Sequence, residues 1–356
     1  MPPPRTGTEV LDLVRKSGIT DDGTLDKFLQ TSGPLPAHPG EAAAQFLLAG
    51  ILTELQAEFI LKGDPTGYRV AKYVLLERIG RATGELFRAR HTFAHRQATL
   101  QSWPPELSRA EQEQAAWTGE YIWRSRASLV VLDHPNIARV FDREETPTTG
   151  WWAIEHLEGK QLPSVLEQVG GRLPVGEACG CAIQVAMGLQ CLHESNVSHQ
   201  QINPINLFVC DNGAVKILNH WIAVLYLQNE IERDGDYLAP EQCLDSAAID
   251  HRTDIYLLGC VLYRLLAGQV VFPEGTLAQK LIWHFNREPV PPHTVCTEVP
   301  TGLSQVVAKM MAKRPGDRYP SMTEVIAALR PFVEPAPTGD SPEMAAAALE
   351  QLAASS

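Results

Sequence analysis

The chain has 356 residues, 44% hydrophobic and 20% charged, enough for one large globular domain plus a small one and unlike a disordered chain. A formal charge of −12 and a pI near 5.4 argue against nucleic acid or an anionic membrane as a general partner, because both need a basic face. Seven dispersed cysteines, an N-terminus (Met1-Pro2-Pro3-Pro4-Arg5) unlike a signal peptide, and apolar runs such as 255–266 that are too short to span a bilayer together point to a reducing, cytoplasmic setting with no membrane span.

Residues 8–63 read as a small all-helical unit. Thr8 is expected to cap a first helix carrying Val10, Leu11, Leu13 and Val14, with Gly18 as its stop. Leu25, Phe28 and Leu29 mark a second helix, and Phe46, Leu47 and Leu48 a third. Leu52, Leu55, Phe59 and Ile60 mark a fourth. Helices this short bury their stripes only against each other or against a partner, so the unit is either a packed appendage or a docking module. Residues 62–67 read as a linker.

From Tyr73 the pattern changes to short β runs: 73–76, 86–89 and 98–100. A helical stretch is expected over about 105–129, then two further strands at 137–141 and 151–155 flank the turn Thr148-Thr149-Gly150. After Gly159 the chain turns mostly helical, with Cys181, Ala182, Val185, Leu189 and Leu192 at 3.6-residue spacing. Residues 334–339 form a Pro-rich second linker, and the alanine-rich 342–354 suits a marginal terminal helix.

Two stretches then stand out. His199-Gln200-Gln201-Ile202-Asn203-Pro204-Ile205-Asn206, and after it Asn219-His220-Trp221, resemble the catalytic loop and the magnesium-binding turn of protein kinases, H-R-D-x-K-P-x-N and D-F-G. Four scaffold motifs accompany them in the right order. Residues 132–137 look like the turn after the small lobe's helix, and 237–241, ending Ala239-Pro240-Glu241, match A-P-E. Residues 254–259 match the start of the buried central helix, and 313–319 the closing helical region. The resemblance covers roughly residues 72–332. It implies an α+β, bilobal protein-kinase-like fold of the bacterial Ser/Thr type, with a five-stranded antiparallel small lobe and one helix over 68–157. A mostly helical lobe would occupy 158–333, with 1–67 in front and 334–356 behind. It also implies a buried ion pair between Glu241 and Arg318, and an Asp254 that holds the catalytic-loop backbone from below. His199 and His220 would stack with Leu129 and Val140 in an apolar spine, as a packed pair and not a metal site.

Laid on that pattern, the scaffold letters are present and the chemical letters are missing. A glycine-rich loop cradles phosphates because glycine lets backbone N–H groups approach closely. Here Gly80 and Gly84 remain, but the middle glycine is gone. The phosphate-touching lysine falls at Gln101 and its partner glutamate near Ser125; Glu120 lies off that helical face. The base aspartate has become Gln201, which can hydrogen-bond but cannot take a proton, and the steering lysine Asn203. The metal-binding aspartate has become Asn219, a poorer magnesium ligand than a carboxylate. Of the metal site only Asn206 survives. The residues that sandwich the adenine fall at Thr99, which is polar, and Phe208, which is larger, while the hinge 154–157, with Glu155 and Leu157, keeps its backbone groups. Residues 222–238 contain no Ser or Thr, so no loop phosphorylation of the usual kind is expected.

The reading is therefore a degenerate kinase domain, a pseudokinase. It would act as a scaffold or allosteric partner of other proteins, an active kinase among them, through its lobes or its N-terminal helices. No cofactor is expected, and ATP with magnesium would bind weakly if at all. The alternatives are a nucleotide-binding sensor and a divergent ATP-dependent transferase with relocated catalytic groups.

Overall fold

The computed structural model describes residues 1–81, 85–94, 96–103, 132–145, 150–218, 234–244 and 249–333. Gly84, Ser125, Leu129, Asn219 and His220, the helical stretch expected over 105–129 and the alanine-rich 342–354 lie outside the described residues.

Four helices open the chain: α1 (Gly7–Ser17), α2 (Asp22–Ser32), α3 (Pro39–Leu48) and α4 (Glu54–Leu61). The first is capped by Thr6 and not by Thr8: Thr6 is extended (φ −135°, ψ 158°) and its side chain accepts from the Glu9 N–H, whereas Thr8 lies within the first turn. Gly18, at φ +60°, ends it in the left-handed conformation that glycine adopts without a Cβ penalty. A reciprocal capping box of Thr53 and Gln56 starts α4, so Leu52 precedes that helix and is not part of it. The stripes meet in one core built around Val10, Val14, Leu25, Phe46 and Ile60.

Through α4 and the end of α1 the helical unit packs onto an antiparallel sheet. Its strands are β1 (Arg69–Val70), β2 (Tyr73–Arg81), β3 (Glu85–His91), β4 (Gln97–Trp103), β5 (Val140–Glu145) and β6 (Gly150–Glu155), in the order β1-β2-β3-β4-β6-β5. The five expected strands are present, and Arg69 and Val70, just before them, add a sixth at the edge. The strand expected from 137 begins only at Val140; Ile137 instead makes an isolated bridge to Ile217. Strand alternation sends Phe87, Ala89, Leu100 and Ala153 to one face, where Leu55 of α4 and Tyr68 join them. Gln56 Nε2 donates to the Leu75 carbonyl at 3.1 Å, and the Tyr68 hydroxyl to the Ser17 carbonyl at 2.7 Å. The helical unit thereby covers the outer face of the sheet.

The rest is mostly helical: α5 (Leu162–Gln168), α6 (Val175–Glu194), α7 (Pro240–Leu244), α8 (Arg252–Ala267), α9 (Leu277–Asn286), α10 (Pro292–Val295), α11 (Thr301–Met310) and α12 (Met322–Leu329). A small antiparallel sheet of β7 (Gly159–Gln161), β8 (Leu207–Cys210) and β9 (Val215–Ile217) lies on it. Apolar on every side, α8 buries nearly all of its residues at the centre of the lobe. By length and composition α6 is apolar enough to cross a membrane, contrary to the expectation that every apolar run is too short. Half of it is nevertheless buried here against α8 and α12, as a core helix.

Candidate functional site

The loop between α6 and β8 is held from underneath by one carboxylate. Asp254 is fully buried in the first turn of α8. Its Oδ2 accepts the His199 N–H at 2.8 Å and its Oδ1 the Gln200 N–H at 2.6 Å. Charge-assisted bonds of this length are the strong ones, and they hold Gln200 at φ +63°, a conformation uncommon for a residue with a Cβ. The expected role of Asp254 is thus met. A third partner was not foreseen: His193 Nε2, at the end of α6, lies 2.8 Å from Asp254 Oδ2. Nothing in the sequence around His193 marks it, since it meets Asp254 only through the crossing of α6 and α8. Likewise Gln242, next to Glu241, donates to the Gln200 carbonyl at 2.8 Å.

Above that anchor, the His199 ring takes the Gln201 N–H on Nδ1 at 3.3 Å and reaches the Leu218 carbonyl through Nε2 at 3.1 Å. That pair of contacts suits the neutral tautomer with its proton on Nε2. Asn203 has a local structural job: its side chain accepts the Asn206 N–H at 3.1 Å and caps the single turn Pro204–Asn206. Asn206 is buried and donates its amide to the Gln201 carbonyl. The side chain of Gln201, which the resemblance sets where a proton acceptor is expected, is exposed.

Thr99 and Gln101 lie on β4 with their side chains on the inner face of the sheet, opposite the helical unit. Register pairs Gln101 with Leu86 on β3 and Trp152 on β6, and Thr99 with Ile154. Thr99 is 0% and Gln101 4% exposed. The Thr99 hydroxyl lies 3.0 Å from His156 Nδ1; burial, helped by the charge of Arg88, holds that imidazole below its ordinary pKa and favours the neutral ring. Phe208, 2% exposed, belongs to one apolar cluster with Leu86, Ile154, Leu157 and Leu218, with Ile79 against it. Roof and floor of the cleft are therefore joined by side chains. Gly80 lies near the end of β2 and pairs with Leu86. The Glu155 carboxylate takes the Arg139 N–H at 3.1 Å and the Lys216 ammonium at 3.0 Å, which ties the hinge to β9.

Away from the cleft, Arg318 and Glu241 form the expected pair. Two parallel bonds of 2.7 and 2.8 Å join them, and Thr253 donates to the same carboxylate at 2.7 Å. Burial, the largest single influence, pushes the Glu241 carboxyl up; the bonds and charge of Arg318, with Thr253, outweigh it and leave its pKa lowered. Arg318 also donates to the Ala312 and Arg252 carbonyls. Asn136, in the turn at 132–137, bridges the Val215 carbonyl and Gln184. Among the described residues no group of three His, Cys, Asp or Glu side chains is placed to hold a metal ion.

Known proteins agree with this geometry. Residues 73–329 match the family described as protein kinase domain. The serine/threonine-protein kinase Pkn1 of Myxococcus xanthus is 30% identical over 272 residues, 73% of this chain and 38% of that protein. A probable serine/threonine-protein kinase, PknB, of Corynebacterium glutamicum is 31% identical over 214 residues, 56% of this chain and 33% of the relative. A third, from Clostridium perfringens, is 29% identical over 209 residues, 57% and 30% of the two chains. The matches thus span about a third of these relatives' length. The chain belongs to the protein kinase domain family.

Proposed function

We propose that this kinase domain does not transfer phosphate and works instead as a binding scaffold or allosteric partner for other proteins. The observation that carries this reading is the state of the cleft. The three side chains that the family resemblance puts against nucleotide, Thr99, Gln101 and Phe208, are all neutral and all covered by protein atoms. Nucleotide would have to enter the apolar cluster that Phe208 shares with Leu86 and Leu157 and would find no cation at position 101. The residues present therefore fit ATP with magnesium poorly.

Two further features support the same reading. A proton acceptor contributes roughly 10²–10⁴ in rate, and Gln201 cannot serve as one. The ion pair under the lobe and the Asp254 anchor are, by contrast, fully built. A chain that keeps the costly scaffold and not the chemical groups suits a role that needs the fold's surface.

The test is a thermal melt with and without millimolar ATP and magnesium. A ligand at a hundredfold excess over its Kd stabilises the native state by about 2.7 kcal/mol, several degrees for a domain of this size. No shift is expected. A shift of several degrees, removed by a bulky substitution such as Thr99→Trp, would make the domain a nucleotide sensor.

A further inference from the structure

The first turn of α8 holds two neighbours at once. Thr253 donates to the Glu241 carboxylate at the start of α7, and Asp254 accepts the N–H groups of His199 and Gln200. Both supports run through α8. A third contact joins the two neighbours directly, and one side chain makes it. Gln242 Oε1 accepts the Ala239 N–H at 2.9 Å, while Gln242 Nε2 donates to the Gln200 carbonyl at 2.8 Å. The Gln242 N–H in turn donates to the Ala239 carbonyl at 3.0 Å.

Only a carboxamide suits this place. It carries a donor and an acceptor on one planar group, so it takes an N–H on one side and meets a carbonyl on the other. A carboxylate only accepts, and an ammonium only donates. Gln200, at φ +63°, is thereby clamped at both ends, its N–H by Asp254 and its carbonyl by Gln242. Asn206 repeats the pattern. Its side chain donates to the Gln201 carbonyl, and its own carbonyl accepts the Leu218 N–H at 2.7 Å. Leu218 and Ala239 are thus pinned to one loop by uncharged groups.

Activation segments of kinases are commonly ordered by a phosphate that pairs with arginine. Residues 222–238 hold no Ser or Thr, and Gln200 stands where the H-R-D pattern has arginine. The amide contacts need neither a phosphate nor a titrating group.

We propose that Gln242 is a permanent latch between the 199–206 loop and the segment leading into α7, closed in the unphosphorylated chain. It makes the two into one rigid face of the helical lobe, whether or not the cleft takes up nucleotide.

Native-state hydrogen exchange of the phosphatase-treated full chain tests this with two variants. Gln242→Met keeps the length of the side chain and removes both bonds. Gln242→Glu keeps an acceptor for Ala239 and loses the donor to Gln200. The amides of His199 and Gln200 bond to Asp254 and not to Gln242, so they report the latch and not a severed bond. They should exchange at least tenfold faster in both variants. Ala239 should follow them in Gln242→Met and lag behind them in Gln242→Glu. Amides inside α8, such as those of Leu258 and Leu262, should keep their rate and show an intact lobe. Unchanged exchange at His199 and Gln200 in either variant overturns the proposal. Equal acceleration inside α8 also overturns it, because Gln242 then supports the whole lobe and latches nothing.

Discussion

Arg318 closes on Glu241 through two parallel bonds of 2.7 and 2.8 Å, 77 residues apart in the chain and almost wholly removed from water. Removing one partner leaves an uncompensated charge inside the lobe, which costs about 3–5 kcal/mol. Arg318→Ala also frees the Ala312 and Arg252 carbonyls that the guanidinium satisfies. Gln201→Ala, at an exposed side chain, should cost no more than about 0.5 kcal/mol, because the contacts of Gln201 with His199 and Asn206 are made by its backbone. Urea midpoints of the two variants should therefore differ widely. Equal shifts would mean that Gln201 has a structural role.

Acid should weaken the fold in two stages. His284, buried on α9 with its Nδ1 2.8 Å from the Tyr256 hydroxyl, has its pKa lowered to about 4 by burial first and the Lys313 charge second. The unfolded chain then binds a proton that the folded chain refuses. The stabilisation is fully present above about pH 6.5 and is lost as the pH falls towards 4, about 3 kcal/mol in all. Glu241, whose pKa is also lowered, adds a second loss below the ordinary carboxylate range. In a pH series of urea midpoints, His284→Gln should flatten the limb between pH 6.5 and 4 and leave the lower one. An unchanged upper limb would contradict this account.

The N-terminal helices and the sheet should melt as one unit. Tyr68 is fully buried between them and joins Leu55, Tyr73 and Leu75 in one cluster. Tyr68→Ala is expected to cost about 3–5 kcal/mol and to lower the midpoint reported by probes in both parts. A variant in which the helices melt early while the sheet keeps its midpoint would show them to be separable.

Much of the fold was legible in the sequence, for a physical reason. The charged residues of the scaffold, Glu241, Asp254 and Arg318, sit in motifs of fixed order, and a buried charge has few tolerable substitutes. The neutral side chains of Gln101 and Gln201 stood out for the same reason: where the resemblance expects an ammonium and a carboxylate, a neutral amide replaces neither. Contacts made by elements far apart in sequence escaped. His193 meets Asp254 across 61 residues, and Thr99 meets His156 across 57; neither has a local signature. Asn203, read only as a lost lysine, also caps a turn, because a short polar side chain suits that place. The cap at Thr6 instead of Thr8 shows the usual difficulty of helix ends, where two equally good cap residues lie two apart.

The central claim is the loss of phosphotransfer, and the most direct measurement is incorporation of label from γ-labelled ATP, with magnesium or manganese, into the protein itself and into generic acceptor proteins. The expected result is incorporation no greater than that of a Gln201→Ala, Asn219→Ala double variant. Transfer clearly above that variant would contradict the account and show that the cleft still performs its family's chemistry.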